Sequence, residues 1–253
     1  MRVLVATAVL VERDAVAAAF APSAAREYAI PGATLSRVAP AEGGPLVFDL
    51  LAAGVGPAAA AAATAAALTA AALNEQTDEQ TDDRTSGPYD LVVSAGIGGG
   101  FQPEAPVGSL VLADEITAAD LGAETADGFV PVTELGFGAV THRPPESLVR
   151  AVAAVTGART GAVLTVNTVT GSAERAAELR RRHPRALAEA MEGFGVAEAA
   201  TAHGVPVLEL RAVSNPVGPR DRAAWRIGDA LAALTGAFGK LAPALESWNP
   251  HDR

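Results

Sequence analysis

Apolar residues along this chain come in compact blocks rather than in strict alternation. Runs of β-branched and other apolar residues at Val3 to Thr7, Pro45 to Ala53, Leu91 to Ser94, Ser109 to Ala113, Ala162 to Val166 and Val205 to Val213 predict strands. Between them, Ala-rich stretches predict helices at about 11–20, 57–73, 146–155, 173–182, 193–203 and 222–247. Strands that are apolar at successive positions need cover on both faces. The alternation therefore predicts an α/β fold, a three-layer sandwich around a central mixed β-sheet, as a single domain over 1–253. No internal repeat is visible.

Two apolar blocks have the outline of membrane signals. Arg2 followed by Val3 to Val11 has the charge and length of a leader, but Glu12 and Asp14 interrupt it, and a buried first strand is expected instead. Leu50 to Leu73 carries no charge, yet it is mostly Ala and is broken by Gly54, Gly56 and Pro57. It predicts a strand, a turn and a tightly packed helix. Asn74 to Ser86 is polar, acidic and low in complexity, and 74–88 is expected to be a mobile surface insertion. The tail from Trp248 to Arg253 is expected to fray.

Composition narrows the function classes. With 253 residues, 49% hydrophobic and 19% charged, the chain is long enough for one large domain with an ordinary globular core. A formal net charge of -10 argues against a nucleic-acid surface, which needs clustered cations. The absence of Cys removes disulfides, zinc thiolates and thiol nucleophiles together, and His142, His183, His203 and His251 show no metal-ligand spacing. His183, in an Arg-rich run before Pro184, is expected at a solvated helix end.

Candidate chemistry concentrates in a few places. Glu192 ends an apolar run just before Gly193, where a carboxylate is poorly solvated unless it serves a polar ligand or pairs with a cation. Taken alone it would be an acid favouring a helix N-terminus, and Glu12, soon after the first strand, would be a solvent-facing acid of the same kind. Ser214-Asn215-Pro216 would be a turn after a strand. The run Ser94-Ala95-Gly96-Ile97-Gly98-Gly99-Gly100 has the look of a dinucleotide loop but lacks its glycine spacing and its acidic partner.

Taken together, Met191-Glu192 before a helix and Arg211 to Arg220 after a strand resemble the purine nucleoside phosphorylase and nucleosidase superfamily. Within it, Ser-Asn-Pro-Val-Gly-Pro-Arg is most similar to the branch that removes hypoxanthine from futalosine on an alternative route to menaquinone. The resemblance implies a nucleoside phosphorylase-like fold and an N-glycosidase. Glu12 would activate water, Met191 and Glu192 would hold the ribose, and Ser214 with Asn215 would stabilise the leaving base. It also implies that backbone amides of the glycine-rich loop, at Gly96 and Ile97, approach the nucleoside, although Ile97 stands where family members often carry Ser.

Adenine-releasing relatives carry Asp where this chain has Asn215. An amide can donate to N7 or O6 of a 6-oxopurine, and its carbonyl is available to N1–H. Those relatives also stack an aromatic on the base from the segment that here reads Thr165 to Ser172. No aromatic is present, and Asn167 and Thr168 become candidates for the pocket lining. Arg220 or Arg222, near Trp225, would pair with the aromatic carboxylate of futalosine from a closing loop.

The implied partner is a small-molecule nucleoside, with no nucleic acid, no membrane, no metal and no organic cofactor. Relatives imply a cytoplasmic homo-oligomer, a dimer or larger. Two alternatives stay open: a phosphorolytic enzyme acting on inosine-like nucleosides, and a non-catalytic nucleoside-binding protein. Phosphorylases of the superfamily usually grip phosphate with Gly-Asp and a following Arg after strand one. Here that place reads Leu10-Val11-Glu12, an acid that repels phosphate, with Arg13 adjacent.

Overall fold

The structure, a computed structural model, describes residues 1–21, 25–40, 46–77 and 87–248, and of 74–77 the backbone alone. In chain order the strands are β1 (Arg2–Thr7), β2 (Arg26–Ile30), β3 (Ala33–Val38), β4 (Val47–Ala52), β5 (Leu91–Gly100), β6 (Leu110–Ala118), β7 (Gly122–Thr125), β8 (Gly128–Pro131), β9 (Thr141–His142), β10 (Arg159–Thr165), β11 (Ala186–Ala190) and β12 (Val207–Pro216). The helices are α1 (Leu10–Ala17), α2 (Pro57–Thr77), α3 (Glu146–Thr156), α4 (Ala173–Arg182), α5 (Gly193–Ala202) and α6 (Ile227–Ser247).

Among the described residues, ten strands form one mixed sheet in the order β11-β10-β6-β12-β5-β1-β4-β3-β2, with β9 beside β6; β7 and β8 form a separate hairpin. One face carries α1, α3 and α6, whose Val16, Leu148, Val152, Leu234, Phe238 and Leu241 pack on Val5, Phe48 and Leu50. The other carries α2 and α5, where Ala60, Leu68, Phe194 and Val196 pack on Leu4, Leu51 and Val92. This is the expected α/β three-layer sandwich with a central mixed sheet.

All six predicted strands are present, several longer than their apolar runs, and all six predicted helices lie close to their expected spans. Every residue of β1 is buried, and Leu50 to Leu73 is the end of β4, a turn and most of α2. That turn needs left-handed backbone, supplied by Gly54 (φ 95°) and Gly56 (φ 91°). No helix among the described residues is long and apolar enough to cross a membrane. The backbone of α2 continues to Thr77, so the first residues of the expected acidic insertion are helical; 78–86 lie outside the described residues, as do 249–253 of the tail.

The glycine-rich run is not a loop, as expected from the sequence, but the second half of β5. Glycines here let three strands meet. Besides pairing with β10, β11 returns to pair antiparallel with β5 at Ala188–Gly100 and Glu189–Gly99, while β12 pairs with the same glycines from the other side. A Cβ at Gly98 would lie 2.8 Å from the Glu189 carbonyl, and one at Gly100 would lie 2.1 Å from that of Ala105. The sheet thus curls closed at Gly99 and Gly100, and the cavity sits at that closure.

Candidate active site

Glu12 lies one turn into α1, directly after β1, and is buried at 4% exposure instead of facing solvent. Its Oε2 accepts the Ala8 and Val9 N–H groups at 3.0 and 3.4 Å, the return half of a capping box. Its Oε1 accepts the Ile97 N–H at 2.8 Å. A main-chain donor at residue 97 thus serves the carboxylate, and the Ile97 side chain lines the cavity. Gly96 is not among the cavity-lining residues and packs behind the carboxylate: a Cβ there would lie 2.7 Å from Glu12 Oε1 and 2.9 Å from Arg211 Nη1.

Glu192 stands at the N-cap position of α5, its side chain turned away from the helix's own N–H groups, and is also buried. Its Oε1 accepts the Gly56 N–H at 3.2 Å, which the left-handed turn before α2 aims at it, and its Oε2 accepts the Met191 N–H at 3.3 Å. Arg211 Nη1 approaches that Oε2 at 3.3 Å. Sequence reasoning missed Arg211 and Glu209 as site residues. They lie two apart on β12 and so share one face, and Arg211 Nε meets Glu209 Oε1 at 2.9 Å while Nη2 donates to Ser94 Oγ at 2.9 Å. Burial works against the Arg211 charge, but Glu209, Glu192 and Glu12 outweigh it and hold the guanidinium protonated. One cation cannot neutralise three carboxylates. The imbalance falls on Glu209, wholly buried with Oε2 unpartnered, whose carboxyl burial pushes upward.

Ser214 and Asn215 stand at the other end of the cavity. The Ser214 hydroxyl donates to Asn215 Oδ1 at 2.9 Å, and Asn215 Nδ2 donates one hydrogen to the Pro216 carbonyl at 3.0 Å. A Cβ at Gly99 would lie 3.4 Å from that Nδ2, so the amide nitrogen lies over the cavity floor and its carbonyl is turned to Ser214. The lining also includes Met191, Val55, Ile97, Gly98, Gly99, Val169, Thr170 and Glu189.

Asn167 and Thr168 are a correction. Both are exposed and neither lines the cavity, because Asn167 folds away, its backbone N–H and Nδ2 donating to Asp120 at 2.7 and 3.1 Å. Val169 and Thr170 from the same segment do line it. Arg220 and Trp225 line the rim, with the guanidinium 5.3 Å from the indole centroid. Arg222 stacks on the same ring at 5.8 Å but is not among the lining residues, so the structure separates the two candidates. His183 also departs from expectation. It is half-buried at the end of α4, its Nε2 has no partner, and burial, then the Arg182 charge, push its pKa down.

A cavity at the closure of a mixed sheet, lined by two buried carboxylates from helix starts and by an amide, defines a class. The chain belongs to the Phosphorylase superfamily, whose sequence signature matches residues 18–244. It is 73% identical over 253 residues, the whole of both chains, to the futalosine hydrolase of Streptomyces coelicolor, and belongs with it to the futalosine hydrolase family. The fold also matches the solved futalosine hydrolase of Helicobacter pylori, with a TM-score of 0.75, 17% identity and coverage of 96% of this chain and 97% of that one. The S-adenosylhomocysteine nucleosidase of Streptococcus pyogenes, solved with 5-methylthiotubericidin, aligns with a TM-score of 0.76 at 18% identity over 97% of each chain.

Proposed function

We propose that this chain hydrolyses the N-glycosidic bond of futalosine to give hypoxanthine and dehypoxanthinyl futalosine. The observation that carries the reading is the meeting of Glu12 and Glu192 at one end of a single cavity whose other end holds Asn215. Glu12 takes a proton from water as its oxygen attacks the anomeric carbon, the electrons of the glycosidic bond go to the purine, and the departing purine anion takes up a proton from solvent, to which Glu12 returns its own. Asn215 Nδ2 donates to the departing base as negative charge builds on it. Glu192, held by Gly56 and Arg211, accepts from the ribose hydroxyls, bonds that strengthen as the sugar becomes oxocarbenium-like. Met191 packs on the sugar. No step calls for a cofactor.

Hydrolysis is favoured over phosphorolysis by where the cations go. Arg13 pairs with Asp14 at 2.8 Å and with Glu27 at 3.6 Å and is not among the cavity-lining residues. At the rim, no carboxylate among the described residues pairs with Arg220, which supports a role in receiving the substrate's own carboxylate. We also infer a homo-oligomer, a dimer or larger, acting on a free nucleoside in the cytoplasm. Val9, Leu10, Val11 and Val55 are 39–58% exposed beside the cavity mouth, an apolar patch suited to a second copy.

The test is hypoxanthine release from futalosine and from inosine, each with and without phosphate. Fast, phosphate-independent release from futalosine is the expected result. Phosphate-dependent cleavage of inosine would replace this reading with a phosphorylase. For a non-catalytic binding protein neither substrate would turn over, and Glu192→Ala would change binding alone.

A further inference from the structure

Glu189 is a buried carboxylate in the cavity wall that the chemistry above leaves unused. It sits on β11 opposite Gly99, and Asn215 sits opposite the same Gly99 on β12. A bulge in β12 between Val213 and Asn215 brings Asn215 opposite Gly99, and since Glu189, Gly99 and Asn215 all line the cavity, the two side chains flank a position that has none. Their Cα atoms are about 10 Å apart, two strand spacings. A Cβ at Gly99 would intrude 3.0 Å from Val217 Cγ2 and 3.4 Å from Asn215 Nδ2. Glycine keeps this slot open.

The two flanking groups differ in what they offer. Asn215 has its carbonyl taken by Ser214 and presents N–H, a donor for N7 or O6 of a purine. Glu189 presents a carboxylate whose Oε1 accepts the Thr170 N–H at 2.8 Å and whose Oε2 accepts the Thr170 hydroxyl, leaving further lone pairs on both oxygens. Burial pushes this carboxyl upward, with the Thr170 bonds working against it. Another donor from a ligand would offset that burial. A 6-oxopurine has one, N1–H, and a 6-aminopurine has a lone pair at the same atom.

We propose that Glu189 is a specificity-determining residue that accepts the N1–H of a 6-oxopurine base, paired across Gly99 with the donor Asn215. This rests on the reading of the cavity as a nucleoside site, and it assigns the preference for oxopurine over aminopurine to two side chains of opposite hydrogen-bonding sense. A site built to accept a hydrogen bond rejects an analogue lacking the donor, because the acceptor is left unpaired.

The test is binding of three free bases to the intact protein: hypoxanthine, its 1-deaza analogue with C–H in place of N1–H, and adenine. The wild type is expected to bind hypoxanthine at least about tenfold more tightly than the 1-deaza analogue, a comparison that needs no variant to fold. Glu189→Gln is expected to weaken hypoxanthine and strengthen adenine, moving their ratio by about tenfold or more, which a merely structural loss would not do. Equal binding of hypoxanthine and the 1-deaza analogue by the wild type, or equal changes for both natural bases in the variant, overturns the proposal. Futalosine cleavage measured alongside separates the two ideas: turnover without N1 discrimination removes Glu189 alone, and discrimination without turnover removes the hydrolase reading alone.

Discussion

Arg211 Nη1 lies 3.3 Å from Glu192 Oε2, with both side chains almost wholly withdrawn from solvent. The same guanidinium reaches Glu209, so one cation anchors two carboxylates. Arg211→Met leaves both acids buried without their partner, and removing one member of a buried ionic cluster costs about 3–5 kcal/mol. A large fall in the urea midpoint is expected, together with loss of hypoxanthine release. Arg211→Lys, which keeps the charge without the planar fork, should recover part of the stability and little of the activity. A midpoint unchanged in Arg211→Met would show that the cluster contributes nothing to folding.

Gly96 is predicted to be intolerant of a single methyl group. Gly96→Ala inserts a Cβ against Glu12 Oε1 and Arg211 Nη1 together, and displacing the carboxylate proposed to activate water by about 1 Å can lower kcat on the order of 10²-fold. Steady-state assay of the purified variant decides it. Wild-type turnover would mean that Glu12 is free to move.

The two site carboxylates should fail differently. Glu12→Gln is expected to lower kcat by roughly 10²–10⁴-fold, the range for a lost general base, while leaving hypoxanthine binding intact. Glu192→Gln is expected to weaken the proposed ribose contacts, which tighten in the transition state, so that kcat falls and KM rises. Identical kinetic signatures in the two variants would argue against the division of labour.

Arg220 lines the rim and Arg222 does not. Arg220→Ala is therefore expected to raise KM for futalosine by about tenfold or more, the scale of a lost charge-assisted bond, with inosine little affected. Arg222→Ala should have the smaller effect. Equal losses on futalosine and inosine would count against recognition of the 5′-side carboxylate.

Acid stability should depend on Asp49, far from the cavity. Burial works to raise this carboxyl, but hydrogen bonds from Arg37 and Tyr28 and the charge of Arg2 outweigh it and hold it below the usual carboxylate range. Its contribution to stability is complete above the unfolded value of about 3.9 and is lost as pH falls through the lower folded value. Asp49→Asn should be strongly destabilised at pH 7, and its gap from wild type should narrow as pH drops below about 4. Urea midpoints across that window test the sign. A gap that widens in acid would rule out this origin.

The elements legible in the sequence are those whose composition agrees with their environment. Runs such as Val3 to Thr7 and Ala-rich stretches such as 57–73 declare themselves because both faces, or one stripe, are apolar. The strand β11 does not: Ala186 to Ala190 reads Ala-Leu-Ala-Glu-Ala, built of good helix formers and made a strand by its neighbours β10 and β5. The β2–β3 hairpin is similarly hidden, since its Arg, Glu and Tyr positions sit at a sheet edge with little apolar face.

The candidate site divides the same way. Glu12, Glu192 and Asn215 came from a family resemblance and do line one cavity, whereas Asn167 and Thr168 do not line it, the Asn167 main-chain N–H and Nδ2 being hydrogen-bonded to Asp120. A local signal for Arg211 and Glu209 was present all along: two opposite charges two residues apart inside a strand expected to be covered on both faces must be partners.

The curled sheet has one more consequence, for how copies of this chain can meet. Because β11 is bonded on both sides, the end of the sheet beside the cavity offers no open backbone ladder, and among the described residues the unpaired flanks are β2 and the two-residue β9. Arg26 and Glu27 stand exposed on β2, charges of the kind that discourage strand-to-strand addition. Edge pairing at β2 is thus discouraged, while the exposed side chains of Val9 to Val11 beside the cavity are left for packing by a second copy, and only that contact can shelter a bound nucleoside from water.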